Sequence, residues 1–304
     1  MRLNRQRQIV EAHDIRLESQ IGEAERFGDL MRRMARENRL AVVSALVILL
    51  FILGAVFAPL LSPYSASEMD MLHRLSPPGA GHLLGTDEGG RDILSRMLYG
   101  SRVSLLVGVV PTLLSMALGA ALGMLAGFAG GWIDALVMRL ADIMLALPSM
   151  LLAMVIMYTL GDGLINVFLT LSLVNWASVA RIVRSQTLSL KKSEYVEAAR
   201  VIGVKRPVIL LRHILPNCLP TLIVLFTLNV PAAILTESSL SFLGLGVQPP
   251  NASWGLMVNV GRQYLYNAPW LSFVPSAAIM LIVLAFNFLG DGLRDVLDPH
   301  LKNN

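Results

Sequence analysis

Long uncharged stretches alternate with short charged ones along this chain, and the uncharged stretches set its architecture. A helix that crosses about 30 Å of hydrocarbon needs about 20 mostly apolar residues. Six segments meet that requirement: 40–61, part of the uncharged run 103–133, 135–160, 164–180, 216–240 and 271–289. The pattern predicts an all-α membrane protein with six transmembrane helices.

Composition agrees with a lipid environment. Hydrophobic residues make up 55% and charged residues 15% of 304 residues, against about 25% charged in soluble domains, and the mean hydropathy is +0.62. The net charge of +4 does not point to nucleic acid, because the cations flank apolar spans and form no stripe interleaved with aromatics. A single cysteine, Cys218, excludes an internal disulfide, and no H-E-x-x-H pattern is present, so neither metal ligands nor catalytic residues are assigned.

The cations orient the spans. Twenty of the 25 Lys and Arg fall on one side, nine of them before Leu40 and eight between Arg181 and Arg212, and five fall on the other. Six spans place both termini on the cation-rich face, which is expected to be cytoplasmic. About 39 mostly polar residues precede the first apolar run, that run is too long for a signal-peptide core, and no A-x-A site follows it. Within that arm Phe27, Leu30, Met31 and Met34 recur at helical spacing among arginines, as in a helix lying on the membrane surface. For residues 1–20 a solvated charged arm is an equal reading. In the second span Gly119, Gly123 and Gly127 line one helix face, which predicts close approach of a second helix in a packed bundle.

The loop after the fourth span is the most informative stretch. Tyr195, Ala198, Ala199 and Ile202 fall at i, i+3, i+4 and i+7, which predicts a short helix with one apolar face, Glu197 and Arg200 lying off it. Gly203 suits a helix stop and Pro207 the first turn of the next helix. The result is a compact, cationic protrusion between two spans, with alanines that let a partner surface come close.

In this loop Glu197, Ala198, Ala199, then Gly203, then Ile214, Leu215 and Pro216 resemble the EAA signature of ABC importer membrane subunits. Residues 85–105 (GTDEGGRDILSRMLYGSRVSL), 241–255 (SFLGLGVQPPNASWG) and 287–299 (NFLGDGLRDVLDP) are similar to the C-type permease subunit of dipeptide and oligopeptide importers. The similarity spans roughly residues 80–300, and the N-terminal arm adds nothing specific to it. The resemblance implies a type I ABC importer permease fold and import of peptides, with a nickel chelate, glutathione or another small solute as the alternative cargo. It implies that the short helix, through Tyr195, Glu197, Ala198, Ala199, Arg200, Gly203 and Pro216, docks in a groove of an ATP-hydrolysing subunit. The implied partners are a second permease subunit forming a heterodimer, two ABC ATPase subunits and an extracytoplasmic solute-binding protein, with the lipid bilayer around them. With no G-x-x-x-x-G-K-[ST] in the chain, ATP is expected to be bound by those partners and no cofactor by this subunit.

These readings divide the chain into a cytoplasmic arm (1–39), a first transmembrane helix (40–61), an extracytoplasmic segment (62–101), a core (102–291) containing the coupling loop (181–213), and a cytoplasmic tail (292–304). In the extracytoplasmic segment Asp87 with Arg91 and Asp92 with Arg96 are i,i+4 pairs that support a helix. That helix is read either as an elbow that meets the binding protein or as an interfacial anchor for the second span. Asp142, able to pair with Arg139, and Glu237 are the acids within the spans; they either line the path or sit near enough to an interface to be solvated. Asn175, Asn229 and Asn287 suit interhelical hydrogen bonds better than cargo contacts. The two Leu-Gly-Asp-Gly-Leu copies, 160–164 and 289–293, are read as turns at helix ends. A secondary transporter would show inverted halves with ionisable groups at mid-membrane, and an intramembrane enzyme a catalytic cluster there; neither pattern is visible.

Overall fold

In the computed structural model, which describes residues 38–248 and 251–297, helices make up the fold. Among the described residues the only β pairing is an isolated antiparallel bridge between Thr86 and Asp92. The expected surface helix around Phe27 to Met34 lies outside the described residues. Among the described residues eleven α-helices follow in order: α1 (Arg39–Val56), α2 (Ala58–Leu61), α3 (Ile93–Ala129), α4 (Gly131–Ala146), α5 (Ser149–Leu160), α6 (Leu164–Leu190), α7 (Glu194–Val201), α8 (Arg206–Ile209), α9 (Leu215–Phe242), α10 (Trp254–Gly261) and α11 (Trp270–Leu297). Five helical runs among the described residues are long and apolar enough to cross a membrane: α1, α3, α6, the run 206–242 and α11. The pair α4–α5 makes a sixth only if counted as one broken span.

That break corrects the expectation of a continuous third span. Leu147 is extended (ψ 141°) because it precedes Pro148, whose ring disfavours a helical conformation at the residue before it. The helix axis turns by 96° there. The fourth span is longer than its apolar run: α6 continues ten residues past Ala180, and Arg181 and Arg184 are paired with carboxylates of α4.

At 37 residues α3 is about 55 Å long at about 1.5 Å per residue, so it runs unbroken through the boundary expected at 101–102. It forms the most extensive helix pair of the fold with α6, and the glycine ladder makes it possible. A methyl group added at Gly119 would lie 2.6 Å from the carbonyl oxygen of Trp176, and one at Gly127 2.8 Å from Cβ of Thr187; Gly123 is pressed against the Ala180 carbonyl between them. Where lipid offers no hydrophobic driving force, such backbone-to-backbone contact holds helices together.

The first span is a rim helix. Asn38 caps it, its Oδ1 accepting the Ala41 N–H (3.0 Å). Ala41, Ser44, Ile48 and Ala55 are buried, Val47 and Phe51 are partly buried against the core, and Leu40, Val43, Leu46, Leu49 and Leu50 are exposed. The Arg102 side chain donates to the Ala55 and Val56 carbonyls and closes its far end. The second Leu-Gly-Asp-Gly-Leu copy is not a turn: Gly290 and Gly292 lie inside α11, against Thr227 of α9 and Ala41 of α1. Only the first copy turns the chain, with Gly161 and Gly163 at positive φ. Residues 292–297, expected in the tail, continue α11.

An element that hydropathy did not predict, α10, closes the end opposite the cationic loop. Trp254 is fully buried, its backbone N–H donating to Ser104 Oγ (3.0 Å) and its indole N–H to the Met97 carbonyl (3.2 Å). Phe51 meets its ring edge-on at 5.3 Å.

Candidate functional site

The short helix expected in the cationic loop is α7. Glu194 and Glu197 stand in its first turn and Arg200 in its last, which suits the helix dipole. Gly203 ends it at φ +82°. Val204 N–H reaches the Ala199 carbonyl and Gly203 N–H that of Arg200, both at 3.0 Å, the pair of bonds that closes a helix on a left-handed residue. Pro207 then opens α8.

The helix is rotated from the orientation its sequence suggested. Val196 and Ala199, at i and i+3, are the buried pair, packed into a cluster with Met124 and Phe128 of α3, Val183 of α6 and Ile209 of α8. Of the expected apolar face only Ala199 is buried. Tyr195 is 44% exposed, Ile202 78% and Val201 85%, and Ala198 and Glu197 are exposed beside them. The base is fixed by Phe128: the Arg200 guanidinium lies 4.9 Å from its ring centroid, and Lys191 Nζ donates to its carbonyl (2.6 Å). Phe128 and Val196 had no place in the sequence reading, although the i,i+3 spacing of Val196 and Ala199 is the signal for the buried face. Pro216 stands apart from α7, in the first turn of α9. The missing proline N–H is absorbed in a π-turn over Leu210–Ile214, where Leu215 N–H bonds back five residues to Leu210. A rigidly seated helix outside the spans that exposes tyrosine, valine and isoleucine together has the character of a protein-docking surface.

At the opposite end the four expected charges come together, and of the two expected pairs Asp87–Arg91 forms while Asp92–Arg96 does not. Residues 87–91 form a loop, not a helix. Asp87 accepts from Arg91 Nε (2.7 Å), and its other oxygen accepts the Gly89 and Arg91 backbone N–H groups. The partner of Arg96 is Asp87 (3.3 Å), not Asp92. Asp92 caps α3 instead, accepting from the Ser95 N–H (2.8 Å) and hydroxyl (2.7 Å), and meets His82 Nδ1 at 3.0 Å. Nearby, the hydrogen bond from His73 holds the exposed Asp70 carboxyl below the ordinary carboxylate range. Asp87, Asp92 and Arg96 are buried, so they shape this loop from within.

The two acids in the spans differ. Asp142 is half exposed and pairs with Arg181 of α6 (2.7 Å) rather than with Arg139. Glu237 has no exposed surface, which contradicts a lining role in this conformation. Its Oε1 accepts from the hydroxyls of Ser241 (2.7 Å) and Ser253 (3.0 Å), joining α9 to the start of α10. Glu237→Leu, which strands both hydroxyls, is expected to cost about 1–3 kcal/mol and to lower the melting temperature in detergent. Glu237→Gln, which keeps an acceptor oxygen, is expected to melt near wild type. Asn287 bonds its own helix at Val283 (2.9 Å). Among the described residues no group of three or more His, Cys, Asp or Glu is placed to hold a metal ion.

Comparison with known proteins identifies the family. Residues 119–303 match the binding-protein-dependent transport system inner membrane component. Residues 26–78 match the N-terminal TM domain of oligopeptide transport permease C, so family character reaches into the arm, where the motifs showed none. The dipeptide transport system permease protein DppC of Alkalihalophilus pseudofirmus is 45% identical over 89% of each chain. The oligopeptide transport system permease protein OppC of Bacillus subtilis is 43% identical over 90% of each. The glutathione transport system permease protein GsiD of Pectobacterium atrosepticum is 44% identical over 90% of this chain and 91% of its own. With six hydrophobic runs and a seated helix between the fourth and the fifth, the chain belongs to the binding-protein-dependent inner membrane components, as a multi-pass permease subunit of an ABC importer with the type I fold.

Proposed function

We propose that this subunit forms half of the pore of an ATP-driven importer of dipeptides or oligopeptides, and that α7 is where an ATPase subunit grips it. The observation that carries the reading is α7 itself, anchored by Val196 and Ala199 and presenting Tyr195, Ala198, Val201 and Ile202 outward. The cation-rich end with α7 and both termini lies in the cytoplasm, and the loop of Asp87, Arg91, Asp92 and Arg96 lies outside. A second permease subunit completes the pore, two ATPases close on the two docking helices, and a binding protein delivers cargo to the outer face. ATP is used by those partners, and this chain holds no cofactor. Closure of the ATPases pushes α7, and because α7 shares one packed cluster with α3, α6 and α9, the push reaches three spanning helices together. Inward-open and outward-open states need differ by only about a few kcal/mol for nucleotide and binding protein to exchange them.

The test is uptake by the assembled complex in proteoliposomes. Radiolabelled di- and pentapeptides are expected to accumulate with ATP and binding protein, and not when either is omitted. Uptake without ATP overturns the reading. The relative named for glutathione transport supports a second cargo; excess glutathione that halts peptide uptake selects it, and peptide uptake insensitive to glutathione rejects it.

A further inference from the structure

Two ion pairs join α4 to α6, and they are built differently. Asp134 accepts two hydrogen bonds from Arg184, from Nε and from Nη2 (2.6 Å), and both side chains are largely shielded. Asp142 accepts one, from Arg181 Nη2 (2.7 Å), and both side chains are 54% exposed. The first is a structural tie. The second leaves a carboxylate oxygen and most of a guanidinium fork without partners among the described residues.

The adjoining face of α6 is also polar, whereas Leu140, Ile143 and Leu145 beside Asp142 on α4, and Ile182, are exposed apolar residues. Ser178, Arg181, Ser185 and Ser189 share one face of α6, and the last three are exposed. In the other half of the helix the exposed residues are apolar, Ile165, Leu169 and Leu173. Arg181 lies nine residues, about 14 Å, from the end of α6 that leads into α7. A half-exposed acid–base pair is costly against acyl chains, so the strip of Asp142, Arg181, Ser185 and Ser189 turns to water, and the apolar residues of α4 flank it.

We propose that Asp142 and Arg181 contact the cargo in the inner half of the path, which rests on the peptide-importer reading. A free dipeptide carries an ammonium group and a carboxylate close enough together for two neighbouring side chains to take one each. Arg181 takes the carboxylate in a forked geometry and Asp142 takes the ammonium. One ion pair opens and two form, so no charge is left unpaired at any point. An anionic or cationic cargo would leave one member of the pair alone, and the site therefore favours zwitterions.

The experiment uses the complete importer, isolated as the intact assembly by size exclusion, in proteoliposomes and reads peptide moved per ATP hydrolysed. Arg181→Gln and Asp142→Asn are each expected to lower it about tenfold, and Arg181→Lys, which keeps the charge, to recover part of the loss. In a Cys218→Ala background, Arg181→Cys is expected to react with a membrane-impermeant methanethiosulfonate applied from the inner side, and more slowly when peptide is present. An unchanged ratio in both neutral variants overturns the inference, and so does an introduced thiol at position 181 that the reagent never reaches. Wild-type complex that moves no peptide at all overturns the importer reading beneath it instead.

Discussion

Replacing Gly123 by leucine is expected to leave almost no folded chain in the membrane. Gly123 is where α3 lies against the Ala180 carbonyl of α6, so even one added carbon displaces a backbone rather than a side chain. Overpacking a close-packed site costs about 1–3 kcal/mol where side chains can give way. Here the obstacle is main chain on a long helix pair, and the cost falls at or above the top of that range. Gly123→Ala is expected to retain part of the folded population, because a methyl group can be accommodated by a small separation of the two helices. Gly81→Ala is the control: nothing lies within 4 Å of the added carbon, and it is expected to behave as wild type. Membrane-inserted monodisperse protein, measured by fluorescence-detected size exclusion, ranks the three. A leucine variant as abundant as the Gly81 control contradicts the role given to the ladder.

Reversing charge on α7 is expected to have the second large effect, on coupling instead of folding. Glu197 is exposed, so Glu197→Arg leaves the packed base of Val196 and Ala199 untouched and should melt as wild type does. At a docking surface, opposing charge reversal costs on the order of 2 kcal/mol, roughly thirtyfold in affinity. Co-purified ATPase activity should therefore almost vanish while the amount of inserted permease stays the same. Ala198→Trp, which places bulk on the same exposed face, is expected to do likewise. If both variants retain wild-type ATPase, α7 is not the grip.

How much of this could be read from the residues depends on how local the physics is. The glycine ladder and the Gly203 helix stop follow from single-residue chemistry, and both appear as expected. The six hydrophobic runs were legible for the same reason, since a run of apolar side chains has few alternatives in lipid. The turn at Pro148 was not, because hydropathy sums over residues and is blind to a backbone break. The i,i+4 rule misassigned the partners of Asp92 and Arg96 because it presumes a helix, and the chain before Ile93 is a loop whose backbone N–H groups claim Asp87. Asp142 finds Arg181 across 39 residues of chain, a pairing set by how α4 crosses α6. On α7 the composition of the helix was clear and its phase was not. Tyr195 and Val196 are both apolar, and only the neighbouring cluster of Met124, Phe128 and Ile209 decides which of them turns inward.

The central claim, that α7 is the contact through which ATP hydrolysis reaches the pore, is tested most directly by a cross-link. Ala198→Cys in a Cys218→Ala background, purified with its partners and treated with a short bifunctional thiol reagent, should give a product whose mass is the sum of this chain and one ATPase subunit. Its yield should change when ATP is bound, because the ATPases close. A cysteine at position 198 that labels readily yet never joins an ATPase subunit, in a complex that hydrolyses ATP and imports peptide, contradicts it.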